Sequence, residues 1–260
     1  MLRARYQAFG ALLWVAGAGV ATAAVLSLGV NMPAFSQQTD EDAEIAKSLA
    51  TMLRAGRTVV SRHQDQINDP NLANKGFDSK TVLAEAVKIY QETAGADPMS
   101  IASNSRQGKL IRMQMDSIAE VIDAHQETIN RQGVGFKGFI PAVFGRLVNE
   151  AFGRRATGLA EMKVTAPPQF IRNAKAKADD WESGVIEKLL SAAWPKNESF
   201  AAVTQINGKT AHRTAVPEYY GASCLSCHGS PKGEIDITGY PKEGGNVGDL
   251  GGVISITLYR

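Results

Sequence analysis

Cysteine is nearly absent from this 260-residue chain, which has two, and histidine is scarce, at four. Two cysteines exclude a disulfide framework, and without a second cysteine pair or an H-x-x-x-H there are not four ligands for a closed zinc site. A phosphate loop is missing too. The glycines between Gly239 and Gly252 contain no G-x-x-x-x-G-K-[ST] and no helix follows them, so they read as a turn. Charge is missing over one long stretch. After the basic start "MLRAR", no residue from Ala8 to Val30 ("AFGALLWVAGAGVATAAVLSLGV") carries a charge. This is the pattern of an export leader, and Ala34 and Ser36 offer small side chains where a signal peptidase reads. Residues 1–36 are therefore expected to be a signal peptide cut after Ser36 or, if retained, a membrane anchor through residues 8–30. Either outcome puts the bulk of the chain in the periplasm, soluble or tethered to the inner membrane. Losing residues 1–36 removes Arg3 and Arg5 and no acid, leaving 26 basic against 26 acidic residues. A neutral chain offers nucleic acid no basic surface, so no such partner is expected.

Both cysteines and one histidine stand together in "ASCLSCHGSP", residues 222–231. A bridge between Cys224 and Cys227 closes over two residues and removes almost no chain entropy, which argues against a structural disulfide. A redox-active C-x-x-C belongs near a helix start in a βαβ unit, whereas this one lies close to the C-terminus ahead of a Gly/Pro-rich stretch. His63, His125 and His212 have no spacing that completes a zinc site. The remaining reading is C-x-x-C-H, the attachment signature of c-type haem: two thioethers from Cys224 and Cys227, with His228 as the proximal iron ligand. Haem c is assembled outside the cytoplasm, so the leader and the motif agree.

The first half of the chain reads as helix. Ile45, Leu49, Met52, Leu53, Val59 and Val60 keep a helical period, Asp78 or Ser79 caps a second helix closed by Gly95, and a third is expected over 105–129. "HQDQINDPNLANKGF" from His63 and "HQETINRQGVGFKGF" from His125 align without a gap at an offset of 62, sharing seven of fifteen residues. Each copy is followed by a second short helix, so a duplicated helix hairpin is expected rather than a solenoid, which needs three or more repeats. From residue 160 the signals turn to strands: "AEMKVT", a hairpin about Asn207-Gly208, and a last strand "GGVISITLY" whose alternation of Ile254, Ile256 and Leu258 predicts a half-buried antiparallel sheet. A helix intervenes from about Asp179. The fold class is α+β, with residues 37–155 helical and 156–260 forming a small sheet part that carries the C-x-x-C-H loop.

The sequence resembles the single-haem c-type cytochromes with a PAS-like sensor fold, found as stand-alone exported proteins and as haem-binding sensor regions of histidine kinases and chemoreceptors. The resemblance spans about residues 55–260 and is carried by "FKGFIPAVFGRLVNEAFG", "MKVTAPPQFIRNAKAKADDWE", "CLSCHGSP" and "GYPKEGGNVGDLGGVISI". An ordinary cytochrome c places its haem motif near the start of a helical domain with a Met ligand downstream, and no Met follows His228 here. The family implies a distal ligand from the helical part, in some members a cysteine on the helix preceding the Asn/Asp-Trp-Glu segment. Both cysteines here are taken by the haem, and that helix carries "EVIDAHQETIN". His125 is thus the expected sixth ligand, with His63, His212 or an open position as alternatives; Met113, Met115 and Met162 read as core. Asp180, Trp181 and Glu182 fall where the family has Asp-Trp-Glu, Trp181 packing between helix and sheet and its charged neighbours bracing that junction. Arg172 is a candidate for holding a haem propionate.

These features imply a single covalent haem c in an electron-transfer protein that hands electrons to a redox partner. The alternative is a haem-based redox or gas sensor acting on a separate signalling protein. Enzymatic turnover is not expected, because six-coordinate iron leaves a substrate no position.

Overall fold

The computed structural model describes residues 34–191 and 193–260. The leader therefore lies outside the described residues up to Pro33. Helix α1 (Ala34–Arg62) turns Ile45, Leu49, Met52, Leu53, Val59 and Val60 into the core, as their period predicts. Its hydrogen-bond ladder breaks at His63 (φ −98°, ψ 11°) and resumes as α2 (Gln64–Asn68). Helix α3 (Ser79–Ala94) is capped by Asp78, whose carboxylate accepts the Thr81 N–H at 2.7 Å, and closed by Gly95 at φ 72°. The expected third helix is two: α4 (Arg106–Ala124) and α5 (Gln126–Asn130), divided at His125 (φ −108°, ψ 11°). Helix α6 (Pro141–Arg155) completes the helical half.

The two breaks share one cause. The Gln64 side chain donates to the carbonyls of Val60 and Phe139, and Gln126 donates to those of Ile122 and Phe77. Asn68 accepts the Lys137 N–H at 3.0 Å while Asn130 accepts the Lys75 N–H at 2.9 Å. The His63 ring packs on Phe77 and the His125 ring on Phe139. Each copy of the repeat thus satisfies the backbone of the other, a pseudo-two-fold clasp. The buried Lys75 ammonium donates to the carbonyls of Asp69 and Leu72, and Lys137 to those of Ile67 and Val134. Burial and the neighbouring Lys75 charge hold Lys137 below the usual lysine range.

Strand β1 (Ala160–Thr165) leads to α7 (Asp180–Leu190), then β2 (Phe200–Ile206) and β3 (Lys209–Tyr219) around Asn207-Gly208, both at positive φ as a type I′ turn requires. After α8 (Leu225–His228) comes β4 (Leu250–Tyr259), and the antiparallel sheet runs β1-β4-β3-β2. The α+β class is as expected, but β4 is not half-buried. Ile254, Ile256 and Leu258 face the helices together with Val216 and Met162, while Val253 faces α7 with Ala215, Val185 and Ile186. Ser255 and Thr257, the alternating polar residues, are covered too. Helices on both faces explain this: α7 lies over the side that the polar alternation left open.

Helix α7 is fixed by the Asp-Trp-Glu region. Its N-cap is Asp179, where the helix was expected to begin, in a capping box with Glu182. The Glu182 carboxylate is 1 % exposed and pairs with Lys163 at 2.8 Å and Arg213 at 3.3 Å. The Arg213 guanidinium lies 4.2 Å over the Trp181 ring, which packs against Phe200. Among the described residues no helix is long and apolar enough to cross a membrane.

Candidate functional site

Strand β3 ends at Tyr219, and the chain turns through Ala222–Cys224 into the single turn of α8. Cys224 and Cys227 stand three residues apart on this turn, a spacing that puts two side chains on one helical face. Both thiols are free and partly exposed. Burial pushes the Cys227 thiol up in pKa, while a hydrogen bond from the Ser226 hydroxyl pulls it the other way. The turn ends at Gly229, whose N–H reaches the Leu225 carbonyl at 2.9 Å and whose Cβ, if it had one, would lie 2.5 Å from that oxygen.

His228 Nδ1 lies 2.8 Å from Oε2 of Glu243. A carboxylate can only accept, so Nδ1 carries the proton, and in the neutral ring Nε2 then presents its lone pair, the tautomer of a metal-ligating imidazole. Arg172 holds Glu243 from behind with Nε at 3.1 Å and Nη2 at 2.9 Å. Its Nη1 reaches Asp236 at 2.6 Å and Thr238 at 3.3 Å, and Nη2 also donates to the Cys227 carbonyl at 2.9 Å. Every nitrogen of Arg172 is therefore engaged by the loop. Arg172 is thereby a brace that ties the motif turn to the 236–243 hairpin. Burial works against the charge on Asp236, yet the Thr238 hydroxyl and Arg172 hold its carboxyl far below the usual carboxylate range.

Tyr220 stacks on the His228 ring, 5.0 Å between centroids and 15° between planes. The glycine-rich tail makes room for it. A Cβ on Gly245 would meet the Tyr220 ring at 2.7 Å, and one on Gly251 at 2.3 Å. The backbone of the same segment closes on the motif, with the Gly245 N–H on the His228 carbonyl at 2.8 Å and the Gly248 N–H on the Tyr220 carbonyl at 2.8 Å. Burial, with the Glu243 charge second, pushes the Tyr220 phenol up to about 12. Beyond Tyr220 and Glu243 opens a cleft of about 310 Å³, also lined by Phe170, Leu190 and Leu250. Gly251→Ala is expected to drive Tyr220 off His228 at a stability cost of about 1–3 kcal/mol. Thermal melting and the tyrosine fluorescence of the folded state would check it; an unperturbed melt would show that the ring moves freely.

The donor set fits a haem. Two free thiols on one turn, an imidazole with Nε2 unengaged, and apolar side chains held out on the same loop (Ile235 at 63 %, Ile237 at 65 % and Val247 at 63 % exposed) match a vinyl-bearing apolar macrocycle with an iron centre.

The structure brings Cys224, Cys227, His228 and Arg172 together but does not join His125 to them. His125 Nδ1 is 2.7 Å from the Val121 carbonyl and its ring lies on Phe139 in the clasp. His63 has both nitrogens engaged, Nδ1 by Gln66 at 2.6 Å and Nε2 by Glu85 at 3.0 Å. His212 is buried beneath the helices, where desolvation lowers its pKa against the pull of Asp42. Tyr220 and Glu243 were missed by sequence reading. "PEYYG" displays the tyrosine without its partner, and nothing in "YPKEGG" signals that Glu243 turns back fifteen residues to His228. Neither a curated protein nor a solved structure matches the chain. A family model does, over residues 36–258, nearly the whole described structure, and by that match the chain belongs to the Tll0287-like family.

Proposed function

We propose that this chain is an exported mono-haem c-type cytochrome that transfers electrons to and from a redox partner protein. Family membership supports a cytochrome-type domain. The observation that carries the finer reading is the Cys224–Cys227–His228 turn with His228 Nδ1 tied to Glu243 and Nε2 left for iron. Bound there, haem supplies a one-electron ferric/ferrous couple. The protein's part is to hold the ligand ring rigid: Tyr220 fixes its plane, Glu243 its tautomer, and Arg172 the loop that carries both. A four-stranded antiparallel sheet with the loop between its last two strands supports the PAS-like description. On this reading the chain works in the periplasm, cleaved from its leader or anchored by it, and turns over no substrate.

His125 is proposed as the second axial ligand. Of the two repeat histidines it alone keeps an unengaged Nε2, its Nδ1 being committed to Val121. Optical spectra of the haem-loaded protein in both oxidation states test this. Low-spin six-coordinate spectra are expected, with His125→Ala shifting the ferric iron toward high spin, admitting carbon monoxide and raising the potential, and His63→Ala silent. The reverse result moves the ligand to His63. A wild type that is already high-spin has an open distal face, which favours the gas-sensor reading over electron transfer.

A further inference from the structure

We propose that Glu243 is a positioning residue that gives the iron-ligating His228 anionic character, and that Arg172 sets how much of it His228 receives. The proposal rests on the haem reading of the same loop. A ligating imidazole that donates its second N–H becomes a stronger base, and a carboxylate strengthens it more than a carbonyl or water does. Here the acceptor is Oε2 of Glu243 at 2.8 Å, and the Glu243 side chain is 9 % exposed, so solvent screens the bond little. A more basic ligand favours ferric over ferrous iron.

The same carboxylate is shared. Arg172 donates to Oε1 from Nε and Nη2 at 3.1 and 2.9 Å, and its Nη2 lies 3.1 Å from Oε2, the oxygen that His228 uses. Charge drawn toward the guanidinium is unavailable to the imidazole. Arg172 is itself pulled the other way by Asp236, which bonds its Nη1 at 2.6 Å. The result is a row Asp236, Arg172, Glu243, His228 of alternating acceptors and donors, ending on the iron ligand. Glu243 and Arg172 therefore act on the haem with opposite signs. A role confined to holding the loop has no such sign, since removing either group would loosen the same turn.

Potentiometric titration and ferric electron paramagnetic resonance of the full-length, haem-loaded protein decide between these. Glu243→Gln keeps an acceptor but removes the charge, and is expected to shift the equilibrium toward ferrous iron about tenfold, or about 59 mV for one electron. Arg172→Gln is expected to shift it the opposite way, with both variants displacing the g values in opposite directions. Shifts of the same sign, or a silent Glu243→Gln in protein that carries its haem, overturn the proposal and leave the cytochrome reading intact. Should Arg172→Gln fail to fold, the g values of Glu243→Gln decide alone, no change counting against. A wild-type protein that takes up no covalent haem overturns both.

Discussion

Expressed with a haem c maturation system, the Cys224→Ala/Cys227→Ala double variant is expected to lose its colour entirely on denaturation, whereas the wild type keeps it. The effect is all-or-none because a thioether survives unfolding and an iron–imidazole bond does not. Each single variant retains one link and so a weakened attachment. The substitutions themselves cost the polypeptide little. Both thiols are partly exposed and neither side chain belongs to either apolar cluster, so the haem-free fold should shift by no more than about 0.5 kcal/mol. Absorbance at the haem band after denaturing gel electrophoresis, beside far-ultraviolet circular dichroism of the haem-free protein, separates lost attachment from lost fold. Covalent haem persisting in the double variant would sink the assignment of the motif.

What the sequence makes legible is whatever the chain encodes locally. The apolar period of α1, Asp78 and Gly95 around α3, Asn207-Gly208 between β2 and β3, and C-x-x-C-H each lie within a few residues of their effect. The repeat was legible as a repeat, but its meaning was not. Gln64 reaches Phe139 and Gln126 reaches Phe77 across the pseudo-two-fold, and it is those reciprocal bonds that break the helices at His63 and His125. An unbroken helix over 105–129 is what the apolar stripe alone predicts. Strand β4 shows the same limit: Ser255 and Thr257 look solvent-facing until α7, sixty and more residues away in the chain, covers them. At the site, Arg172 was legible from its neighbourhood, but the protein groups that hold it were not. A guanidinium near a haem motif suggests a propionate, and only three-dimensional proximity reveals that Glu243, Asp236 and the Cys227 carbonyl already use it. The PAS-like resemblance pointed to the glycine-rich tail without saying why it is glycine. Tyr220 is why, since its ring fills the space where two Cβ atoms would be.

The largest stability loss is expected far from the haem loop, at Asp42. This carboxylate is fully buried near the start of α1, accepts from Arg106 at 2.6 Å through one oxygen and from Arg260 at 2.5 and 3.1 Å through the other. Arg106 also donates to the Tyr259 carbonyl at 2.7 Å, so one acid joins α1, the start of α4 and the end of β4. Asp42→Ala leaves two guanidiniums facing each other around a void. Breaking a buried pair by removing one partner costs about 3–5 kcal/mol, and because the arginine side chains are 26 % and 15 % exposed the lower end applies. For a domain of this size that lowers the melting temperature by roughly 6–12 °C. His212 supplies a second readout. Burial already holds its pKa below the ordinary 6.5, and Asp42 is the charge that opposes this. A folded-state pKa below the unfolded one means that the unfolded chain binds more protons, so stability present above about pH 6.5 is lost as the pH falls toward the folded value. Without Asp42 the depression deepens, and the acid limb of the stability profile should steepen in Asp42→Ala relative to wild type. Thermal melts between pH 5 and pH 8 measure both effects. An unchanged melting point would mean that Arg106 and Arg260 turn to solvent at no cost. An acid limb parallel to wild type would mean that His212 does not feel the carboxylate.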